Sequence, residues 1–182
     1  MIIGFSGIGG SGKTTQLELL KKEYGKTRRV VVVELRPKLL WPRFVALFRK
    51  PIPKAPPSSF TESSSLFREM YLCLRDTFYV MDMWRVWIGA KWYSTDTLVI
   101  FDRTPLDFAI ELAKSNPDPF SYAHKLYAWF PHLENMFYFS VPAEMSLARK
   151  DEGNGKEALE RVLFMYDSFV QTGDLAVLPA HK

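Results

Sequence analysis

Short, unbroken apolar runs alternate with longer amphipathic stretches over almost the whole chain. Residues 1–6, 30–33, 97–101 and 135–141 are the clearest short runs, and 174–178 is a last, weaker one. Runs of that length without polar interruption predict strands covered on both faces, as in a parallel sheet. Between them, helical periodicity predicts helices over about 12–24, 58–93, 105–115, 120–130, 142–150 and 156–172. Gly25 is a natural stop for the first helix, and Asn116-Pro117-Asp118-Pro119 reads as a turn. Parallel neighbours need crossover helices, so the alternation predicts a doubly wound α/β domain of three layers, with helices on both faces of the sheet. One domain spans residues 1–182.

Residues 36–57 break the pattern. They carry six prolines and six Lys or Arg residues, among them Arg36, and no acid. Apolar residues from Leu39 to Phe48 lie among those charges. The segment reads as a basic, proline-rich flap with one short amphipathic turn. A cover over an anionic substrate, a solvated loop and a membrane or partner surface all fit it.

Composition narrows the class. With 182 residues and 47% hydrophobic content the chain can bury a full core. The net charge of +4 favours anionic ligands mildly and does not argue for nucleic acid, so no nucleic-acid partner is expected. The single cysteine, Cys73, excludes an internal disulfide and a Cys-based zinc site; its apolar surroundings suggest a buried thiol. His124 and His132 lack metal-ligand partners at suitable spacing. No run reaches the roughly 20 apolar residues of a membrane span. The glycine-rich motif begins at residue 7, which leaves no room for a secretory signal, so the expectation is a cytoplasmic protein.

That motif is Gly7-Ile8-Gly9-Gly10-Ser11-Gly12-Lys13-Thr14, a G-x-x-x-x-G-K-[ST] pattern between a strand and a helix. Gly7, Gly9, Gly10 and Gly12 let the backbone curl so that the amides of the loop, Ser11 and Thr15 included, point at one anion. The positive end of the following helix adds to the field. Lys13 reaches the terminal phosphates of a nucleotide, and the Thr14 hydroxyl suits Mg²⁺. The cofactors expected are therefore ATP and Mg²⁺. The run 97–101 ends in Asp102-Arg103, at the carboxyl edge where open α/β sheets bind ligands. Asp102 suits a metal-bound water or a proton, and Arg103 suits a phosphate. Arg68, Arg75 and Asp82 recur every seven residues and share one helix face, with Tyr71 one turn before Arg75. The polar, glycine-containing residues at 149–156 form a candidate lid.

These motifs together resemble the thymidylate kinase family. Residues 5–16, F-S-G-I-G-G-S-G-K-T-T-Q, are similar to its F-E-G-x-D-G-x-G-K-[ST]-T-Q signature. Asp102-Arg103 resembles its D-R pair, and Tyr71-x-x-x-Arg75 its F-x-x-x-R. Val141-Pro142-Ala143-Glu144, leading to Arg149, resembles the V-P-P-E-x-x-x-x-R run that enters the lid. The resemblance implies a P-loop NTPase fold with a five-stranded parallel sheet in the order 2-3-1-4-5. It implies transfer of the γ-phosphoryl group of ATP to a nucleoside monophosphate, dTMP to dTDP in the first instance. Lys13, Asp102, Arg103 and Arg149 would then be catalytic, with Arg149 also on the ATP and lid charge coming from Lys150 or Lys156. Arg36, Tyr71, Arg75 and Arg103 would hold the acceptor, and a homodimer is a further implication. Gly9 stands where the family has Asp, and Leu35-Arg36-Pro37 where it has R-E-P. Those departures and the basic flap leave two alternatives: a kinase for a hydroxyl acceptor (nucleoside, sugar or nucleic-acid 5′ end), and a nucleotide-binding regulator.

Overall fold

The computed structural model describes residues 1–35, 65–114, 116–149, 155–173 and 175–179; side chains at 65–68 and 179 are outside the description. The elements follow one another as β1 (Ile2–Ser6), α1 (Lys13–Tyr24), β2 (Arg29–Glu34), α2 (Ser65–Tyr93), β3 (Thr97–Asp102), α3 (Pro105–Ala113), α4 (Pro119–Tyr127), β4 (Met136–Ser140), α5 (Ala143–Arg149), α6 (Lys156–Gln171) and β5 (Ala176–Pro179). The five strands form one sheet in the order β2-β3-β1-β4-β5, every pair parallel. The expected fold class and strand order are the observed ones.

Strand alternation separates two cores. Val99, Phe101, Met136 and Tyr138 face a large core with side chains from α2, α3, α4 and α6. Leu98, Ile100, Phe137 and Phe139 face the opposite way, onto Leu17 and Leu20 of α1. Successive strand residues point to opposite faces, so the covered parts of β3 and β4 must be apolar at every position, and 98–101 and 136–139 are. The valines of β2 are only half-buried, because β2 is the sheet's edge and has a neighbour on one side alone. The pattern had suggested full cover there.

A second correction concerns Cys73, which is exposed. Leu72 and Asp76 of α2 are buried, and a residue one step along a helix turns about 100° away. His124 and His132 have packing roles: His124 stacks on Phe169 at 3.9 Å between ring centroids, and His132 meets the edge of Tyr127 at 4.8 Å. Among the described residues no helix is long and apolar enough to cross a membrane. The whole flap at 36–57, including Arg36, and residues 150–154 of the candidate lid lie outside the described residues.

Candidate active site

The carboxyl ends of β1 and β3 place the site. β1 runs directly into the loop, whose glycines adopt backbone angles closed to most side chains: φ is 139° at Gly7, 70° at Gly10 and 91° at Gly12. A Cβ on Gly7 would lie 2.9 Å from the Phe139 carbonyl oxygen, and one on Gly10 3.0 Å from that of Ser146. The loop is thus pressed against β4 and α5. Gly12 is the N-cap of α1 and brings no side-chain acceptor, so the first amides of the helix stay available to an anion. Lys13 folds back over the loop, donating from Nζ to the Gly7 and Ile8 carbonyls at 2.7 Å each and to Ser11 Oγ at 3.2 Å. Thr14 and Thr15 are exposed at the mouth.

α5 braces the apex. Ser146 Oγ donates to the Gly9 carbonyl at 2.7 Å, and Arg149 Nη1 reaches the Gly10 carbonyl at 3.4 Å. Arg149 therefore stands beside the loop. Lys156 does not: its ammonium is tied to Glu144 at 2.7 Å and Glu160 at 3.8 Å on the exposed outer side.

At the end of β3, register pairs Asp102 with Phe5 on β1 and with Glu34 on β2. Arg103 follows at φ 77°, the one positive value outside glycine among the described residues. Such a backbone costs on the order of 1–3 kcal/mol and persists only where its surroundings hold it. Here Arg103 N donates to the Phe5 carbonyl at 3.2 Å, and the next amide, Thr104, donates to Asp107 at 2.5 Å. Asp107 also accepts from Ser6 Oγ, Thr104 Oγ1 and Gly7 N at 3.1 Å each, and from the Tyr166 hydroxyl. Burial, then the Asp107 carboxylate, pushes the Tyr166 phenol well above its ordinary range.

A cavity of about 340 Å³ opens beside the loop between α3 and α6, lined among others by Gly9, Arg103, Asp107, Glu111 and Arg161. Lys114 at its edge is paired with Glu111 at 2.6 Å. Tyr71 and Arg75 are not among the residues that line this cavity. Arg75, its side chain 16% exposed, donates from Nε to the buried Asp76 at 2.7 Å, and the Tyr122 hydroxyl takes the other oxygen of Asp76. One guanidinium nitrogen, Arg75 Nη2, is buried with no hydrogen-bond partner. Burial raises the phenols of Tyr71, Tyr79 and Tyr122, and in Tyr122 the bond to Asp76 adds to it.

Sequence reading missed Glu34, Asp76, Asp107 and Arg161. Glu34 was findable, since it ends an apolar strand as Asp102 does. Asp107 was half-legible as the last residue of a Thr-x-x-Asp capping pattern. Arg161 and Asp76 carried no signal in the sequence.

No protein-family model and no curated protein sequence matches the chain. Among solved structures it is similar to the deoxyadenosine kinase of M. mycoides with the products dCMP and a flexible dCDP bound. The TM-score is 0.59 at 16% identity, over 99% of this chain and 91% of that one. At that identity the likeness is one of fold.

Proposed function

We propose that the protein transfers the γ-phosphoryl group of ATP to a hydroxyl of a nucleoside-class acceptor. The observation that carries the acceptor is the ion pair of Arg75 with Asp76, 2.7 Å long and largely buried. A monophosphate brings about two negative charges and needs unspent cations, whereas Arg75 already has its carboxylate. What Arg75 and Asp76 still offer is hydrogen bonding, with Nη2 as an unused donor, and that suits a neutral nucleobase beside Tyr71. The deoxyadenosine kinase likeness supports the same acceptor class.

The chemistry follows from the edge of the sheet. Lys13, the loop amides and the N-terminus of α1 bind the triphosphate and neutralise its charge. The acceptor oxygen forms a bond to the γ-phosphorus, and its proton passes to a carboxylate, Asp102 with Glu34 beside it in register. The bond from γ-phosphorus to the β-bridging oxygen breaks, and its electron pair leaves on ADP. Arg103 and Arg149 balance the charge of the group in flight. Mg²⁺ fits this donor set: it takes one or two protein oxygens plus phosphates, and Thr14 and Asp102 are the residues that would hold it. When bound it neutralises phosphate charge.

A second reading, a nucleoside monophosphate acceptor such as dTMP, is favoured by Arg103 and Arg161, which reach the same cavity. Release of ADP measured with deoxynucleosides, sugars and monophosphates side by side separates the two. Turnover confined to monophosphates overturns the first reading, and ATP binding without any turnover favours the regulator.

A homodimer belongs to the proposal. Met70, Leu74, Met81, Trp84, Ile88 and Trp92 are exposed on α2 and share one face of that helix. A two-fold pairing of copies would bury this stripe against itself. Sedimentation of a monomer at micromolar concentration would contradict it.

A further inference from the structure

We propose that Asp107 is a positioning residue that locks the phosphate-binding loop and the Arg103 turn into one rigid unit. The inference rests on phosphoryl transfer as proposed above. Its two carboxylate oxygens are shared out by element. Oδ2 takes the Thr104 amide at 2.5 Å, with Thr104 Oγ1 and Ser6 Oγ at 3.1 Å. Oδ1 takes the Gly7 amide at 3.1 Å and the Tyr166 hydroxyl. The Ser6 and Thr104 hydroxyls lie 2.5 Å apart, so one of them also donates to the other.

A helix cap needs only part of this. The bonds to Thr104 complete a capping box for α3. Gly7 and Tyr166 are far away in sequence and contribute nothing to that cap, yet they occupy one whole oxygen. Gly7 opens the loop that receives the triphosphate. Thr104 follows Arg103, the residue held at φ 77°. A single buried carboxylate therefore sets the distance between the cradle for the donor and the cation for the transferring group. Through Tyr166 it fixes α6, which brings Arg161 to the same cavity. Ser6, Thr104 and Tyr166 are all buried, so a bond lost among them leaves a polar group with little access to water.

Asp107→Asn keeps the shape and replaces one acceptor by a donor, which must then face the Thr104 amide or the Gly7 amide. Misplacement of reacting groups on the ångström scale costs up to about 100-fold, so Asp107→Asn should lower kcat/KM about 30-fold. The test is a double-mutant cycle with Arg103→Ala, together with calorimetric binding of inorganic tripolyphosphate. If Asp107 acts through Arg103 as well as through Gly7, Asp107→Asn costs no more than about fivefold in the Arg103→Ala background, against about 30-fold with Arg103 present. Tripolyphosphate binding should weaken about fivefold in Asp107→Asn through the loosened Gly7 amide, which is about 1 kcal/mol on the scale where 1.4 kcal/mol is tenfold. Tyr166→Phe, which keeps the ring and removes one donor, should lower kcat/KM about threefold and serves if Asp107→Asn does not fold. Equal losses in both Arg103 backgrounds overturn the inference and leave Asp107 as a helix cap. If the wild-type protein transfers no phosphate, the proposed function falls; tripolyphosphate affinity then decides this inference, a weaker Asp107→Asn supporting it and an unchanged one overturning it.

Discussion

Arg75 donates to Asp76, its neighbour in sequence, although adjacent helix residues do not face each other. The guanidinium bends along α2 to reach a carboxylate that is 4% exposed, and Tyr122 from α4 caps the same carboxylate from the other side. The cation that the Y-x-x-x-R pattern offered to an acceptor phosphate is thereby matched inside the protein.

Asp76→Asn tests this pair. The substitution leaves Arg75 unbalanced in a partly buried site, which should cost about 3 kcal/mol of stability in a denaturant titration. It should lower kcat/KM for nucleosides about tenfold, since 1.4 kcal/mol of lost orientation is tenfold, and raise the relative rate on monophosphates. An unchanged ratio of the two rates contradicts the role given to the pair.

The loop glycines should rank by what a methyl group meets. Gly7→Ala combines φ 139° with backbone oxygen at 2.9 Å that cannot move aside, and should cost about 3 kcal/mol or more. Gly10→Ala meets Ser146 backbone oxygen at 3.0 Å and should displace α5, with losses in ATP affinity larger than in stability. Gly12→Ala has φ 91° but open space around it, so the strain alone remains, about 1 kcal/mol. Thermal melts of the three variants check the order.

Lys13→Ala removes the cation over the loop. Its bonds to Gly7 and Ile8 are partly exposed, so stability should change by no more than about 1 kcal/mol. Phosphoryl transfer should fall about 10³-fold, the scale of losing one preorganised charge at the reacting group. A variant with full activity contradicts the assignment of the loop.

Alkaline pH should unfold the protein through its buried phenols. Tyr122, Tyr138 and Tyr166 hold their protons above the ordinary value of 10.0, chiefly because of burial. Below pH 10 both folded and unfolded chains are protonated and the contribution is complete. Above it the unfolded chain ionises first, so stability falls as pH rises, by up to about 1.4 kcal/mol per pH unit for each such phenol. Tyr122→Phe should make that slope shallower by about one proton, read from denaturant melts between pH 9 and 11.

Legibility in the sequence followed locality. β3 and β4 were readable because strands covered on both faces must be apolar at every position. The loop was readable because its glycines, lysine and threonine are contiguous, and Asp102-Arg103 because charge ends an apolar run. Strand order left no mark in the apolar pattern, which is why β2 read as fully covered although it is an edge. Asp107 joins Ser6, Thr104 and Tyr166, and no local pattern brings residues 6 and 166 to one carboxylate. Arg161 follows Glu160 on the amphipathic α6 and reads as a solvent position until the cavity is seen. Lys156 stands at the end of the candidate lid, and no local pattern shows its exposed pairing with Glu144 and Glu160.

The most direct test of the account follows the γ-phosphorus itself. ATP labelled at that position is incubated with Mg²⁺, the protein and a mixture of deoxynucleosides, and the labelled products are separated. Label is expected on a nucleoside monophosphate, one for each ADP formed, and none with Lys13→Ala. Label that stays on ATP, or appears only as inorganic phosphate, would contradict it.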